Sequence, residues 1–473
     1  MADSFYWYDL ETSGTDPKWD RIVQFAGLRT DSELNTLDEE YCTYVHLPDD
    51  VLPNPNASLV TSITPQLTHA NGISETQALI RINQIFSESQ TCVAGYNSLR
   101  FDDEFMRYGL YRNLLDPYAR EWKQGNSRWD LIDLVRATGA LRREGIEWPV
   151  DEQGLPVYKL EELTKANGIS HGKAHDALSD VHATVGLARL IKQHQPKLFD
   201  YYFKLRRKKA VREVLEPYGS KLCVHISAMY GRARFGVGPV LPLTRHPSNS
   251  NSVIVVDLGE DIEPLLHMSV DEISQNLFAS GTPADQRPPL KEIRINRCPF
   301  VAPIEVLSEE NLERLDIDLA KIKERARRIK QPGLADKIAR AYGLRKNLPS
   351  SDPDVALYDG FLQDDDRSRC EHLHTEVAAG RWHSVDFRDN RLHTLVERMK
   401  ARSFPSQLDA NEEVIWRNFV VDKLTSKGDW LGLAAYEEML GQLSLDESIP
   451  AAGHLVLSRL VEHAADIRTR YHL

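Results

Sequence analysis

The sequence predicts an α/β amino-terminal domain, then a small barrel with helical additions, then an all-helical carboxy-terminal region. Three observations predict it. Apolar, strand-like runs at residues 5–10, 22–30, 41–47 and 91–96 precede helical patterns at 101–113, 127–141, 159–167 and 176–193. Strands followed by helices make an α/β layer. Gln195-Pro196 ends the long helix, and beyond it come short β-like runs at 222–229 and 252–258, a Pro- and Arg-containing stretch at 287–307, and basic helices near 318–343. Finally, Leu348-Pro349-Ser350-Ser351-Asp352-Pro353 has the composition of a linker, after which amphipathic helical patterns with Gly and Pro breaks continue to residue 473. The expected domains are therefore 1–197, 198–350 and 351–473.

Composition narrows the function classes. A chain of 473 residues with 41% apolar residues can bury several cores. No apolar run is long enough to span a membrane, and Met1-Ala2-Asp3-Ser4 lacks the basic start of a secretory signal, so a cytoplasmic protein is expected. Cys42, Cys92, Cys223, Cys298 and Cys370 are odd in number, scattered and without a Cys-x-x-Cys pair. Neither a disulfide framework nor a zinc site follows, and any metal is expected on oxygen ligands. The net charge of −12 is unevenly spread: residues 1–200 carry −11, residues 201–350 carry +7 and residues 351–473 carry −8. The densest basic run is Lys204, Arg206, Arg207, Lys208, Lys209 and Arg212, followed by Arg232 and Arg234. A local basic patch suits a polyanion whatever the overall sign.

The chemistry begins with Asp9 and Glu11, at the end of the apolar run Phe5-Tyr6-Trp7-Tyr8. A strand alternates its side chains, so both carboxylates point the same way and can hold a divalent metal. Asp-x-Glu alone is cheap, recurring at Asp38/Glu40, Asp102/Glu104 and Asp261/Glu263. Context adds to it. Asp102 stands where a strand gives way to a helix, the sheet edge that ligand sites favour. His171-Gly-Lys-Ala-His175-Asp176-Ala-Leu-Ser-Asp180 holds His-x4-Asp in two registers. Asp176 reads as a helix cap and Asp180 as one turn inside the helix, which favours the His175/Asp180 register. Asp9, Glu11, Asp102 and Asp180 with His175 then match a two-metal phosphodiesterase. Such a site takes two Mg²⁺ ions, with Mn²⁺ as the alternative, to stabilise the attacking and leaving oxygens of an in-line displacement. Asp9 is expected at both ions, Glu11 and Asp180 at the one that activates water, Asp102 at the other, and His175 as the base.

These motifs resemble the DEDDh exonucleases, and within them bacterial exonuclease I. Asp9-Leu-Glu-Thr-Ser-Gly is similar to the first motif, Asn97-Ser-Leu-Arg-Phe-Asp-Asp-Glu to the second and Ala174-His175-Asp-Ala-Leu-Ser-Asp180-Val to the third. Ile63-Thr-Pro-Gln, Asn126-Ser-Arg-Trp-Asp-Leu-Ile-Asp, Leu163-Thr-Lys-Ala-Asn-Gly-Ile and Leu357-Tyr-Asp-Gly-Phe resemble exonuclease I rather than shorter relatives. Leu10 and Ser13 depart from the aromatics often found in the first motif. The resemblance implies a ribonuclease H-like exonuclease domain, an SH3-like barrel and a helical carboxy-terminal domain. It implies degradation of single-stranded DNA from its 3′ end to mononucleotides, in repair and recombination; a monomer is the default expectation. It also implies a protein partner, the acidic tail of single-stranded-DNA-binding protein, which needs an apolar pocket rimmed by basic groups. Arg142, Arg143 and Tyr201 lie near the first boundary and are the candidates for it.

A groove for unpaired DNA combines cations with aromatic platforms. Arg107, Tyr118, Trp122, Arg128 and Lys159 are the strand-binding candidates, and Trp129 reads as a core aromatic. Glu11, Thr12 and Phe101, in or beside the metal motifs, are expected at the 3′-terminal nucleotide. The competing readings are a DEDDh enzyme acting on RNA ends or polymerase products, and a degenerate nuclease fold that only binds DNA; the second predicts a lost ligand.

Overall fold

The computed structural model describes residues 4–37, 40–172, 176–279, 281–283, 286–345, 349–383 and 385–473. His175 lies outside them. Two compact units result: Met1–Ser127, Gly172–His182 and Pro349–Leu473 form the first, Arg128–His171 and Ala183–Leu348 the second.

The chain opens with strands β1 (Ser4–Thr12), β2 (Ile22–Thr30) and β3 (Tyr41–Val45). It continues through α1 (Pro55–Thr61), α2 (Pro65–Asn71), β4 (Gly72–Ile73), α3 (Glu75–Phe86), β5 (Thr91–Gly95) and α4 (Asp102–Arg112). Asn54 and Thr64 cap α1 and α2, each with proline in the first turn, and Ser74 and Gln77 close a capping box on α3. The strands lie in the order β4-β3-β2-β1-β5, with β1 antiparallel to β2 and parallel to β5. Tyr6, Tyr8 and Leu10 enter a core with Phe25, Ile82, Phe86 and Phe105. The period of two therefore sends Asp9 and Glu11 to the opposite face.

The sheet's last strand, β6 (Ser127–Asp130), carries the chain from the first unit into the second. The helix expected over 127–141 is thus split, because the Asp130 side chain accepts from Ile132 N (3.0 Å) and caps α5 (Leu131–Leu141) where that helix begins. Trp129 is a core residue packed on Phe199, Tyr202 and Phe203. Next come α6 (Leu160–Ala166), α7 (Ala177–His194), α8 (Pro196–Lys204) and α9 (Lys208–Leu215).

The second unit then builds an antiparallel sheet from β7 (Cys223–Ile226), β8 (Val237–Arg245), β9 (Ser252–Asp257), β10 (Leu290–Arg294) and β11 (Phe300–Pro303), in the order β10-β9-β8-β7-β11. Pro239 and Pro242 hide β8 from a sequence reading, since proline is rare in a central strand. A register shift between Pro242 and Thr244 accommodates the second. Helices α10 (Glu263–His267), α11 (Val270–Phe278), α12 (Glu309–Arg314), α13 (Leu319–Ile329) and α14 (Leu334–Gly343) accompany the sheet. Leu241, Ile254 and Val256 share a core with Ile322 and Ile338.

The carboxy-terminal helices α15 (Asp364–Ala378), α16 (Asn390–Ser403), α17 (Ala410–Thr425), α18 (Leu433–Ser444) and α19 (Ala451–Tyr471) belong to the first unit. Tyr108, Tyr111 and Leu114 share a cluster with Leu357, Leu373, Leu395 and Met399, and Leu52 enters another with Val420, Tyr436 and Leu460. Among the described residues no helix is long and apolar enough to cross a membrane.

Candidate active site

Pairing with β5 stops at Trp7↔Ala94, so β1 runs on past its parallel neighbour. There the start of α4 replaces the ladder: Leu10 N donates to Asp102 Oδ1 (3.2 Å). This bond anchors a nearly inaccessible Asp102 carboxylate beside Asp9. Asp180, in the first turn of α7, completes the group; ligand atoms of Asp9, Glu11 and Asp180 all lie within 4.8 Å of one another.

Close carboxylates repel, and burial sharpens the cost. Burial is the largest influence lifting Asp9 well above the usual carboxylate range, followed by the charges of Asp102, Asp180, Glu11 and Asp176. Burial again leads for Glu11, which Asp180 and Asp176 help push up to about 8. An arrangement of hard oxygen donors that raises its own proton affinity equally favours a divalent cation. The donor set fits such an ion.

Asp176 Oδ2 accepts from Ser179 N (3.4 Å) and Oγ (3.1 Å), the capping role read from the sequence. Its Oδ1 also accepts from Gln24 Nε2 (3.4 Å), on the strand residue that pairs with Glu11. Asp176 thus adds a fifth acid to the field of the cluster, and Gln24 ties the start of α7 to the sheet; sequence reading missed both roles. His171, the histidine of the other register, bonds Thr164 Oγ1 through Nδ1 (3.0 Å).

Around the cluster, Thr12 is buried and donates from Oγ1 to Gly14 O (2.7 Å), and the half-buried Phe101 ring stands 5.0 Å from Phe105. Arg107 is buried, bonded to Glu121 (2.8 and 3.1 Å), Glu104 (3.1 Å) and Tyr358 Oη (3.2 Å), with its guanidinium over Tyr118. Its donors are engaged within the protein, so any role toward a phosphate requires re-pairing. Tyr118 meets Phe361 edge-on (5.7 Å) beside a cavity of about 410 Å³ that Lys123 and His374 also line. Trp122 is 64% exposed and Phe361 76%, high values for large apolar rings. The sequence marks Tyr358 and Phe361 only as members of a motif; their nearness to Arg107 and Tyr118 is tertiary.

The second unit holds the remaining candidates. Lys159 is exposed at the start of α6 and lines a cavity of about 680 Å³ with Arg136, Tyr158 and Arg232. Arg232 is paired with Asp151 and Arg234 with Asp257, so these two members of the basic run are internally balanced. Arg128 is buried and donates to Asn296 O (3.0 Å). Tyr201 donates to Val301 O (2.8 Å) and lines a cavity of about 740 Å³ with Leu205, Val214 and Ile304, rimmed by Lys204, Lys221 and Lys323. Arg142 is spent on Leu141 O and Val306 O, and Arg143 on Gly139 O.

Family models match three successive stretches: Exonuclease over residues 6–188, Exonuclease I SH3-like domain over 206–344, and Exonuclease I C-terminal domain over 351–467. The Exodeoxyribonuclease I of Haemophilus influenzae is 40% identical over 428 residues, 89% of this chain and 90% of that protein. The chain belongs to the exonuclease I family. Its fold is similar to the zinc-ion-bound form of an E. coli ExoI–ssDNA complex (TM-score 0.93, 38% identity, 99% of this chain and 100% of that one). It is also similar to an ExoI/SSB-Ct complex (TM-score 0.92, 37% identity, 99% of this chain and 100% of that one). The order of an exonuclease I chain is therefore the one expected: α/β exonuclease domain, SH3-like domain, helical domain. As a member of the exonuclease I family the protein is an exonuclease, a phosphodiester hydrolase that needs divalent metal, and the acidic cluster is the candidate seat for it.

Proposed function

We propose that this exonuclease removes nucleotides from the 3′ end of single-stranded DNA, releasing 5′-mononucleotides in DNA repair and recombination. The observation that carries the reading is the convergence of Asp9, Glu11 and Asp180 beside Asp102 in a chain of this family. Two Mg²⁺ ions, or Mn²⁺, would supply Lewis acidity and charge neutralisation at the scissile phosphate. Asp9, Glu11, Asp180 and Asp102 would hold these ions, Asp9 shared between them, Glu11 and Asp180 at the one that activates water and Asp102 at the other. A ring nitrogen of His175 takes the proton of the attacking water. Thr12 and Phe101, with Glu11, hold the terminal nucleotide by hydroxyl and ring contacts.

Strand binding is assigned to Arg107, Tyr118, Trp122, Arg128 and Lys159, with Tyr358 and Phe361 added on the strength of their contacts with Arg107 and Tyr118. The acidic tail of single-stranded-DNA-binding protein is the proposed partner, a reading that the ExoI/SSB-Ct complex supports; its proposed seat is the cavity that Tyr201 lines with three lysines and with Glu213 and Glu305, a lining that does not include Arg142. A cytoplasmic monomer with functional boundaries near 197 and 350 completes the proposal.

The test incubates 3′-labelled single-stranded DNA, duplex DNA and RNA with Mg²⁺ and either wild-type protein or Asp180→Ala. Fast mononucleotide release from single-stranded DNA by the wild type alone is expected. Release from RNA only, or undiminished activity of the variant, overturns the proposal.

A further inference from the structure

Residues 13–21 form the loop that leaves β1 directly after Glu11 and Thr12. Ser13 N donates to Arg21 O (2.8 Å) and Arg21 N donates to Ser13 Oγ (2.9 Å), which closes the loop at its base. A Cβ at Gly14 would overlap the Asp20 carboxylate, so a larger residue there would have to push that side chain aside. The β1–β2 ladder shifts register between Glu11 and Thr12. Past the shift Thr12 pairs with Ile22, the residue that follows Arg21, so the ladder and the loop set the position of Thr12 together.

What holds the loop is a buried ionic cluster. Arg21 Nη1 donates to Trp19 O (2.7 Å) and Asp20 O (3.1 Å), and Arg112 Nη1 to Pro17 O (3.1 Å) and Lys18 O (3.0 Å). Both guanidiniums are buried and need counter-charges. Glu75 Oε1 lies 3.8 Å from Arg21 Nε, and Asp354 Oδ2 lies 3.8 Å from Arg21 Nη2. Asp354 is held by Arg402 (3.0 and 2.6 Å), which also bonds both oxygens of Asp50 (3.1 and 2.7 Å). Lys423 Nζ donates to Asp50 Oδ2 at 2.8 Å. A separate contact comes from Trp430, whose ring lies 5.0 Å from that of Trp19. Its indole N–H donates to Lys423 O (2.7 Å).

We propose that Arg402 and Trp430, in the carboxy-terminal region, are positioning residues for hydrolysis: they fix residues 13–21, and through them Glu11 and Thr12, in the geometry that seats the 3′-terminal nucleotide. The inference rests on the reading that Glu11 and Thr12 meet that nucleotide. Neither residue touches substrate; Arg402 acts through Asp354 and Arg21, and Trp430 through Trp19.

The test compares wild type, Arg402→Lys, Arg402→Met and Trp430→Leu. A long single strand is bound by many contacts, so its KM says little about the terminal seat, whereas kcat reports it. A one-nucleotide probe, the p-nitrophenyl ester of thymidine 5′-monophosphate, reports the seat alone. Folded Trp430→Leu is expected to lose about ten-fold or more in kcat on the strand and in kcat/KM on the ester, with strand KM within about two-fold. Arg402→Lys is expected to keep more kcat than Arg402→Met. Should Arg402→Met not fold, Trp430→Leu decides, because it leaves the ion pairs intact. Wild-type kcat in folded Trp430→Leu overturns the inference. A wild type inert on both substrates overturns the underlying nucleotide reading instead. Amide exchange at residues 13, 20 and 21 then decides: acceleration of about ten-fold or more in Trp430→Leu supports loop positioning, and unchanged exchange overturns it.

Discussion

Two sets of buried carboxylates in the same unit respond to burial in opposite directions. Asp9 is lifted well above the usual range and Glu11 to about 8, by burial first and then by neighbouring acids. Burial pushes on Asp50 and Asp354 as well, but Arg402 outweighs it, helped by Lys423 at Asp50 and by Arg398 at Asp354, and both fall well below the range. Partner charge, not depth, sets the protonation state. One set has its cations written into the chain, whereas the neighbours of the other are further acids and its natural counter-ion comes from solution. A neutralised cluster serves as a rigid clamp, and an acidic one as a metal seat.

The largest effect expected from disturbing this contrast is at the acidic set. Asp180→Ala removes a candidate ligand and should lower exonuclease rate by about 10³-fold or more, beyond the loss of a single charge-stabilising group; the release assay with Mg²⁺ measures it. At the neutralised set the effect falls on stability. Besides its loss of kcat, Arg402→Met takes from Asp50 and Asp354 their largest partner charge and should cost about 3–5 kcal/mol in urea denaturation.

pH separates the sets by sign. The folded value of Glu11, about 8, lies above its ordinary 4.5, so folding favours the protonated form. Metal-free protein should therefore lose stability as pH rises through that interval, and millimolar Mg²⁺ should raise Tm more at the alkaline end than at the acid end. Asp9→Asn should raise the metal-free Tm and shrink the Mg²⁺ response. Asp50 and Asp354 lie below their ordinary 3.8 when folded, so their contribution is complete above that pH and is lost as pH falls beneath it. Calorimetry across both windows, with EDTA or Mg²⁺, checks each sign. The smallest effect is at Tyr358, which bonds Glu104 Oε2 (2.5 Å) and Arg107 (3.2 Å). Tyr358→Phe should weaken single-strand binding by about 1 kcal/mol or less, read by fluorescence anisotropy with Ca²⁺ replacing Mg²⁺.

Much of the acidic set was legible because its signals are local. Strand alternation put Asp9 and Glu11 on one face, a strand-to-helix junction marked Asp102, and helical spacing chose Asp180 over Asp176. The neutralised set left no local trace. Asp50, Asp354, Arg402 and Lys423 are ordinary charges at scattered positions, and no period in the chain distinguishes them from solvated ones. Strand β8 was hidden by Pro239 and Pro242, and residues 127–130 were read as helix because Asp130 caps α5 from its boundary. Arg107 reads from sequence as a cation available to DNA, yet Glu104 and Glu121 already occupy it.

The amino-acid order of this chain settles most of the element types, the face that Asp9 and Glu11 take and the family to which it belongs, because propensity, periodicity and motif spacing act over a few residues. Tertiary packing settles which acids repel and which are paired. It brings Asp102 to Leu10 N, Arg402 to Asp50 and Asp354, and Tyr358 to Arg107. The physical reason is range: a backbone preference is felt by its neighbours in sequence, whereas the fate of a buried charge depends on whatever lies within a few ångströms of it in space.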